Sequence, residues 1–449
     1  MTRDLTTGSP MRLIWSFALP TLFGMLFQQF YNMMDTMIVG QLLGASALAS
    51  VGSTSSINFF VIGFCMGVCN GFAIPVAQRM GAGDYSQMRR CVANAGWLSA
   101  LFAVVLTVFT GLFCRTILTV MRTPEDIFDG AYWYILIIFL GIPTTFLYNL
   151  LAAVIRALGD SKTPVYFLAI SSVLNIALDL LLILYCHAGV AGAALATVIS
   201  QCISAALVIR CLMKEPGAIR LDLHSLRFDK IKLRQILQVG LPAGVQGVLF
   251  SLSNVVIQAS INGFGETVMA GNSAASNIEN FIYVALNAFY QANVSFTSQN
   301  MGAGNYHRIW KILFRVEACV LVLGLALGGL TYLFGPQLLS LYSPSPAVIA
   351  AGLVRLKIVA VTYVLCGFMD SCVGTLRGIG YSVLPMIVTL VGACALRLVW
   401  ISVLFQHPAY HTVEVIYWSY PVSWVVTASV HFLCIAITMR KLKHHLGLA

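Results

Sequence analysis

Charge is what this sequence has least of. Only 9% of its 449 residues are Asp, Glu, Lys or Arg, against roughly 25% in an ordinary soluble domain, and that excludes a freely soluble globular chain. Among its twelve cysteines (65, 69, 91, 114, 186, 202, 211, 319, 366, 372, 394 and 434) there is no CxxC pair and no metal-ligand spacing. Zinc ribbons and dithiol redox chemistry are therefore excluded, and the cysteines, mostly inside apolar runs, read as small helix-packing residues. A GxxxxGK[ST] phosphate loop is missing, as are HExxH and a nucleophile elbow. Those absences speak against a nucleotide-driven pump and a membrane-embedded hydrolase; no enzymatic activity, cofactor or resident metal is expected. The formal charge of +10 has no basic domain or basic face behind it, which removes nucleic acid as a partner. The opening stretch MTRDLTTGSPMRLIW runs into an apolar segment without a small-residue cleavage site, so no removed signal peptide is expected.

What the sequence does have is long apolar runs, within a chain that is 59% hydrophobic. About 20 apolar residues cross a bilayer as a helix, and only helices or closed barrels satisfy all backbone polar groups in hydrocarbon. These runs are far longer than barrel strands, so the fold class is an all-α membrane protein. Breaks between runs predict twelve helices near 13–39, 52–77, 91–114, 130–154, 164–186, 189–212, 236–262, 273–299, 313–335, 350–375, 385–406 and 414–439. Basic residues collect at the N-terminus (Arg3, Arg12), in alternate loops (Arg79, Arg89, Arg90; Arg156, Lys162; Lys214 to Arg234; Arg308, Lys311; Arg377) and in the tail (Arg440, Lys441, Lys443). Cytoplasmic loops carry that excess, so both termini are expected in the cytoplasm, with the chain in the cell (inner) membrane.

The chain repeats itself. AQRMGAGDY at 77–85 returns as SQNMGAGNY at 298–306, and RALGDSKTP at 156–164 as RGIGYSVLP at 377–385, both at an offset of 221; Pro20 answers Pro242 at 222. Six helices per repeat is an even number, so the halves share one orientation in the membrane. The expected plan is two pseudo-symmetric six-helix lobes, 1–212 and 236–449, joined by a basic cytoplasmic linker at 213–235 and enclosing a central cleft, as in parallel-repeat transporters.

An ionisable group inside the bilayer is costly and marks function by default. Asp35, Asp179, Glu279, Asp370 and Arg397 lie well within apolar runs, whereas Glu317, Arg355, Lys357 and Glu414 lie close enough to helix ends to snorkel. At ~1.5 Å per residue, Asp35 on the first helix, Asp179 on the fifth and Thr197 on the sixth reach one level. Asn175 stands one turn from Asp179 on the same face. Two carboxylates in a partly dry pocket cannot easily both ionise, so one holds a proton. The same oxygens, with the Asn175 amide and Thr197 hydroxyl, are also hard ligands suited to Na⁺. Pro20 lacks an N–H in mid-helix and is the expected hinge of the first helix. For Arg397, the expected structural ion-pair partner is Glu279. His407 and His411 have i, i+4 spacing but no third ligand.

The sequence resembles the multidrug and toxic compound extrusion (MATE) family over nearly its whole length. The resemblance rests on Pro20, Gln28, Gln29, Tyr31, Asn32, Asp35 and Gly40 of the first helix, the two MGAG loops, the two RxxGxSxxP loops and LNIALD at 174–179. The combination of Asp35, Asn175 and Asp179 is similar to the DinF-like prokaryotic branch, which implies coupling through the N-lobe; the seventh helix has no carboxylate of the kind associated with the NorM-like branch. The resemblance implies a secondary antiporter that exports small cationic, amphipathic compounds in exchange for H⁺ or Na⁺. Gln28, Tyr31, Asn32 and Met33 become candidates for the substrate cleft, and a monomer is expected. The alternative within transport is a flippase for lipid-linked oligosaccharides, whose cleft would call for several basic residues where only Arg397 is available.

Overall fold

The computed structural model describes residues 3–214, 220 and 227–445. Within them every expected span is a helix. They run Pro10–Leu43, Ala45–Gly81, Tyr85–Leu112, Glu125–Leu140 with Ile142–Ala157, Thr163–Tyr185, Gly189–Lys214, Lys230–Asn262, Glu266–Gly302, Tyr306–Leu333, Pro346–Ile379, Val383–Leu404 and Val413–His445. Within the linker expected at 213–235, residues 215–219 and 221–226 lie outside the described residues.

Ten of these helices are long and apolar enough to cross a membrane one by one. The fourth span passes only as a pair, bent by 47° at Gly141, where Pro143 opens the second half and cannot continue a helical ladder from the first. The eighth is long enough at 37 residues, but Asn272, Asn277, Asn280, Asn287, Gln291, Asn293, Gln299 and Asn300 dilute its hydropathy. Several of these amides are buried against the unit's own backbone and hydroxyls: Asn293 Nδ2 donates to Ser371 O at 2.6 Å and Thr375 Oγ1 at 2.9 Å. With these two included the chain has twelve spans. Only 28% of an apolar 18-residue stretch of the third span is buried within the protein, so most of that stretch lies at the protein's surface.

The repeat is visible in the turns. Gly83 and Gly304 of the two MGAG loops both take positive φ, +71° and +74°, the left-handed conformation that ends a helix cheaply only with glycine. Asp84 then caps the third helix by accepting from Gln87 N at 3.1 Å.

The described chain forms two compact units. One holds Phe23–Gly244 with Arg3 and Asp4; the other holds Leu5–Leu22 and Val245 onward. Compared with a division at the linker, the start of the first helix is counted with the second unit and the start of the seventh with the first. Packing explains both. In the first unit a Cβ added to Gly71 would come 2.5 Å from Gly240 Cα, so the second and seventh helices touch backbone to backbone, as small residues allow in membranes. In the second unit Trp15 and Phe17 of the first helix meet Phe289 and Phe296 edge to face, at 5.1 and 5.8 Å, within a core that also buries Leu5 and Ile14. Each unit change falls two residues after a proline, Pro20 or Pro242.

Eight of the twelve cysteines are buried, and all are free thiols. Four single turns are π-helical: Leu181–Tyr185, Leu356–Ala360, Leu390–Ala395 and Trp400–Leu404. Such turns occur frequently at functional positions. One begins two residues after Asp179, one directly after Arg355, and two bracket Arg397.

Candidate functional site

The first unit brings Asp35, Asn175, Asp179 and Thr197 together. Asn175 and Asp179 are both fully buried, one turn apart on the fifth span, while Asp35 and Thr197 are half-buried on the first and sixth. The Asn175 amide joins them. With the orientation that matches donors to acceptors, its nitrogen donates to Asp179 Oδ2 at 3.0 Å and its oxygen accepts from Tyr31 Oη at 3.3 Å. Its contact with Thr197 Oγ1, at 3.2 Å, holds in either orientation. Tyr31 lies one turn before Asp35 on the same face of the first helix, so the amide ties three spans to one point.

The two carboxyls lie within interaction range of each other. Ionised carboxylates only accept, so the two can bond to each other only through a proton that one of them carries. The remaining oxygens, Asp35 Oδ1 and Asp179 Oδ1, are buried without a partner among the described residues. No arginine or lysine is paired with either acid among the described residues. Tyr134 of the fourth span, 7% exposed, lies in the field of both acids and of Tyr31. It was not identified from sequence; one available signal was its offset of 221 from Arg355, which places a polar residue at matching points of the two repeats.

The other candidates of the first helix are spread around it. Gln28 is half-buried, whereas Asn32 is exposed and Met33 is 50% exposed. Neither Asn32 nor Met33 is drawn into the carboxyl cluster. Pro20 sits inside an unbroken helix.

The pairing of Glu279 with Arg397 is corrected by the structure: Glu279 pairs with Arg355. Arg355 Nη2 donates to Glu279 Oε2 at 2.8 Å, its Nε reaches both carboxylate oxygens at 3.1 Å, and its Nη1 donates to Asn272 Oδ1 at 2.8 Å. Asn272 passes the network to Gln258 at 2.7 Å. Arg355 is 7% exposed and does not snorkel, because it lies more than two turns into its helix and that helix packs along the eighth. Arg397 is on the eleventh span, which packs on the twelfth, and its neighbours are Ser423, Asn254 and the rings of Tyr420, Phe250 and Trp424. The signal for Arg355 in the sequence was the row of amides on the eighth helix, which promised a buried polar partner there.

Glu317 also lies deeper than a helix end, with the Cys372 thiol donating to it at 3.6 Å. His407 and His411 serve their turn: His407 Nδ1 accepts from Ala409 N at 3.3 Å, and His411 stacks on Phe405 at 4.2 Å.

Comparison with known proteins agrees with this architecture. The family described as MatE matches the chain twice, over residues 20–181 and 242–401, one match per repeat. Among curated relatives, the "Probable multidrug resistance protein" YpnP of Bacillus subtilis (strain 168) is 30% identical over 88% of each chain. YoeA of the same organism, with the same description, is 29% identical over 87% of this chain and 86% of its own. Among solved structures, a MOP superfamily transporter from Pyrococcus furiosus superposes with a TM-score of 0.91 over 98% of both chains at 23% identity, which shows a common fold.

Proposed function

The chain belongs to the MatE family, and we propose that it is a secondary antiporter that exports cationic, amphipathic drugs in exchange for protons bound between Asp35 and Asp179. The observation that carries this reading is the meeting of two acids, beside the Asn175 amide, that have no basic partner among the described residues. An acid paired with an arginine is neutralised at every physiological pH. Two acids that share one proton carry a single negative charge while the proton stays and two once it leaves, so the pair responds to a proton gradient.

The sequence of events follows from the positions of the groups. With the proton in place the two carboxyls attract, and the Asn175 amide, Tyr31 and Thr197 hold the first, fifth and sixth spans together. Loss of the proton leaves two like charges within interaction range, and they repel. The first helix carries Asp35 and is weakened at Pro20; it answers by bending there, close to the point where it changes unit. A pocket that must be neutralised before the lobe can rearrange lets proton and drug occupy it only in turn. Exchange then proceeds without leak. The descriptions of YpnP and YoeA support drugs as the substrate class.

Two measurements test this. In proteoliposomes with pH and Na⁺ gradients imposed separately, a pH gradient alone should drive efflux; transport driven only by Na⁺ would refute the proton assignment. The orientation with both termini in the cytoplasm is tested by cysteine labelling. A cysteine at Ser86 should react only from the cytoplasmic side and one at Ser345 only from outside, and labelling of both from one side would overturn it.

A further inference from the structure

We infer that Arg397 and Trp424 form the donor side of a buried site for one small monovalent anion in the second unit, of the halide or carboxylate class. Arg397 is fully buried, with 0% exposure, in the middle of the eleventh span. Its Nε donates to Ser423 Oγ at 2.8 Å and its Nη1 to Asn254 Oδ1 at 3.2 Å. Both partners are neutral. Its Nη2 has no hydrogen-bond partner among the described residues, and neither has Nε1 of Trp424, which is 2% exposed.

The two orphan atoms belong to neighbouring side chains and are alike in kind. The Arg397 guanidinium carbon lies 5.7 Å from the Trp424 ring centre, 4.5 Å from that of Tyr420 and 5.3 Å from that of Phe250. Guanidinium and indole nitrogens donate and cannot accept, so these two donors cannot satisfy each other. What suits them is an acceptor. Charge leads to the same answer: no carboxylate lies within ion-pair distance of Arg397 among the described residues, and ring faces and neutral oxygens solvate a cation without neutralising it. An uncompensated charge at this depth is expensive. An anion accepting from Nη2 and from the indole N–H satisfies both donors and balances the charge.

Two comparisons within the molecule argue against a purely structural arginine. Arg355, in the same unit, has a carboxylate with three contacts and is structural on that ground. At an offset of 221, Arg397 corresponds to Ile176 in the first repeat, so the shared fold forms without a cation at this place. The two π-helical turns on either side, Leu390–Ala395 and Trp400–Leu404, are the kind of local widening that accompanies a binding position in a helix.

The test uses the purified full-length protein in detergent, with sulfate as the background anion at constant ionic strength. Chloride, and separately benzoate, replace sulfate while the unfolding midpoint is recorded. The expected result is a saturable rise of the midpoint with one of the two. Saturation by chloride identifies a resident halide, and saturation by benzoate alone identifies a site for the carboxylate of a transported compound. Trp424→Phe keeps the ring and removes one donor, so it should weaken the apparent affinity about tenfold, the effect of one hydrogen bond to a charged partner. Arg397→Gln should abolish the response; if that protein does not fold, Trp424→Phe decides. Asp35→Asn should respond like the wild type, which separates this site from the proton-coupling one. No saturable response to either anion, or an unchanged response in Trp424→Phe, would overturn the proposal.

Discussion

Two acids inside the membrane, Glu279 of the second unit and Asp179 of the first, are held in opposite ways. In the second, Glu279 is neutralised by Arg355 through contacts of 2.8 to 3.1 Å, and Asn272 and Gln258 extend the network. In the first, Asp179 has, among the described residues, only another acid and neutral dipoles for company. At the repeat offset of 221 the contrast is residue for residue: Arg355 answers Tyr134, while Asn175 and Asp179 answer Leu396 and Trp400. A fixed counter-charge makes an acid into scaffold. A proton makes it into a part that can change state, and that is why the proposed coupling belongs to the first unit although the second holds more buried charge.

The largest effect expected from this contrast is on transport. Asp35→Asn and Asp179→Asn should each reduce gradient-driven efflux to background while expression and membrane insertion stay normal, since the amide keeps the shape and loses the proton. Asp370→Asn in the second unit should leave efflux within a few-fold of wild type. Equal loss from Asp370→Asn would move coupling to the second unit, and full efflux by Asp35→Asn would end the first-unit mechanism.

The next effect is on stability. Removing one partner of a buried ion pair costs about 3–5 kcal/mol, because the other charge is left unpaired. Glu279→Gln should therefore lower the unfolding midpoint sharply, whereas the double variant Glu279→Gln with Arg355→Gln should recover more than half of the loss. Additive losses in the double variant would show that the pair is not the unit of stability inferred here.

The smallest effect sharpens the site itself. Tyr31→Phe removes the donor to the Asn175 amide, a hydrogen bond worth about 1 kcal/mol. It should slow efflux about fivefold without abolishing it, read as the initial rate in proteoliposomes. An unchanged rate would mean that Tyr31 only packs beside the cluster.

How much of this could be read beforehand differs between the two units for a physical reason. The first-unit cluster was legible because Asp35, Asp179 and Thr197 fall at one depth on helices whose direction loop charge fixes, and Asn175 follows Asp179 at helical spacing. Depth alone could not pair Arg397 with the right residue. Glu279 stood at a compatible level in the eighth span, but the eleventh packs on the twelfth while the tenth lies along the eighth. Arg355 looked free to reach the membrane surface because the end of its helix was placed at about 350 instead of Pro346, a shift of one turn.

The sequence by itself determined the class, the twelve spans, the twofold repeat and which acids lie inside the membrane. All of these depend on one-dimensional quantities: hydropathy over a bilayer's length, the sign of loop charge and spacing along a helix. Only the tertiary structure decided which charges meet, that Asp35 and Asp179 come together beside the Asn175 amide, that Glu279 belongs to Arg355, and that the starts of the first and seventh helices pack with the unit opposite their own repeat. Those facts depend on the azimuth of each helix and on its neighbours. Close packing between distant segments sets both, through small residues such as Gly71 and Gly240 and aromatic pairs such as Phe17 and Phe296, and no periodicity along the chain encodes them.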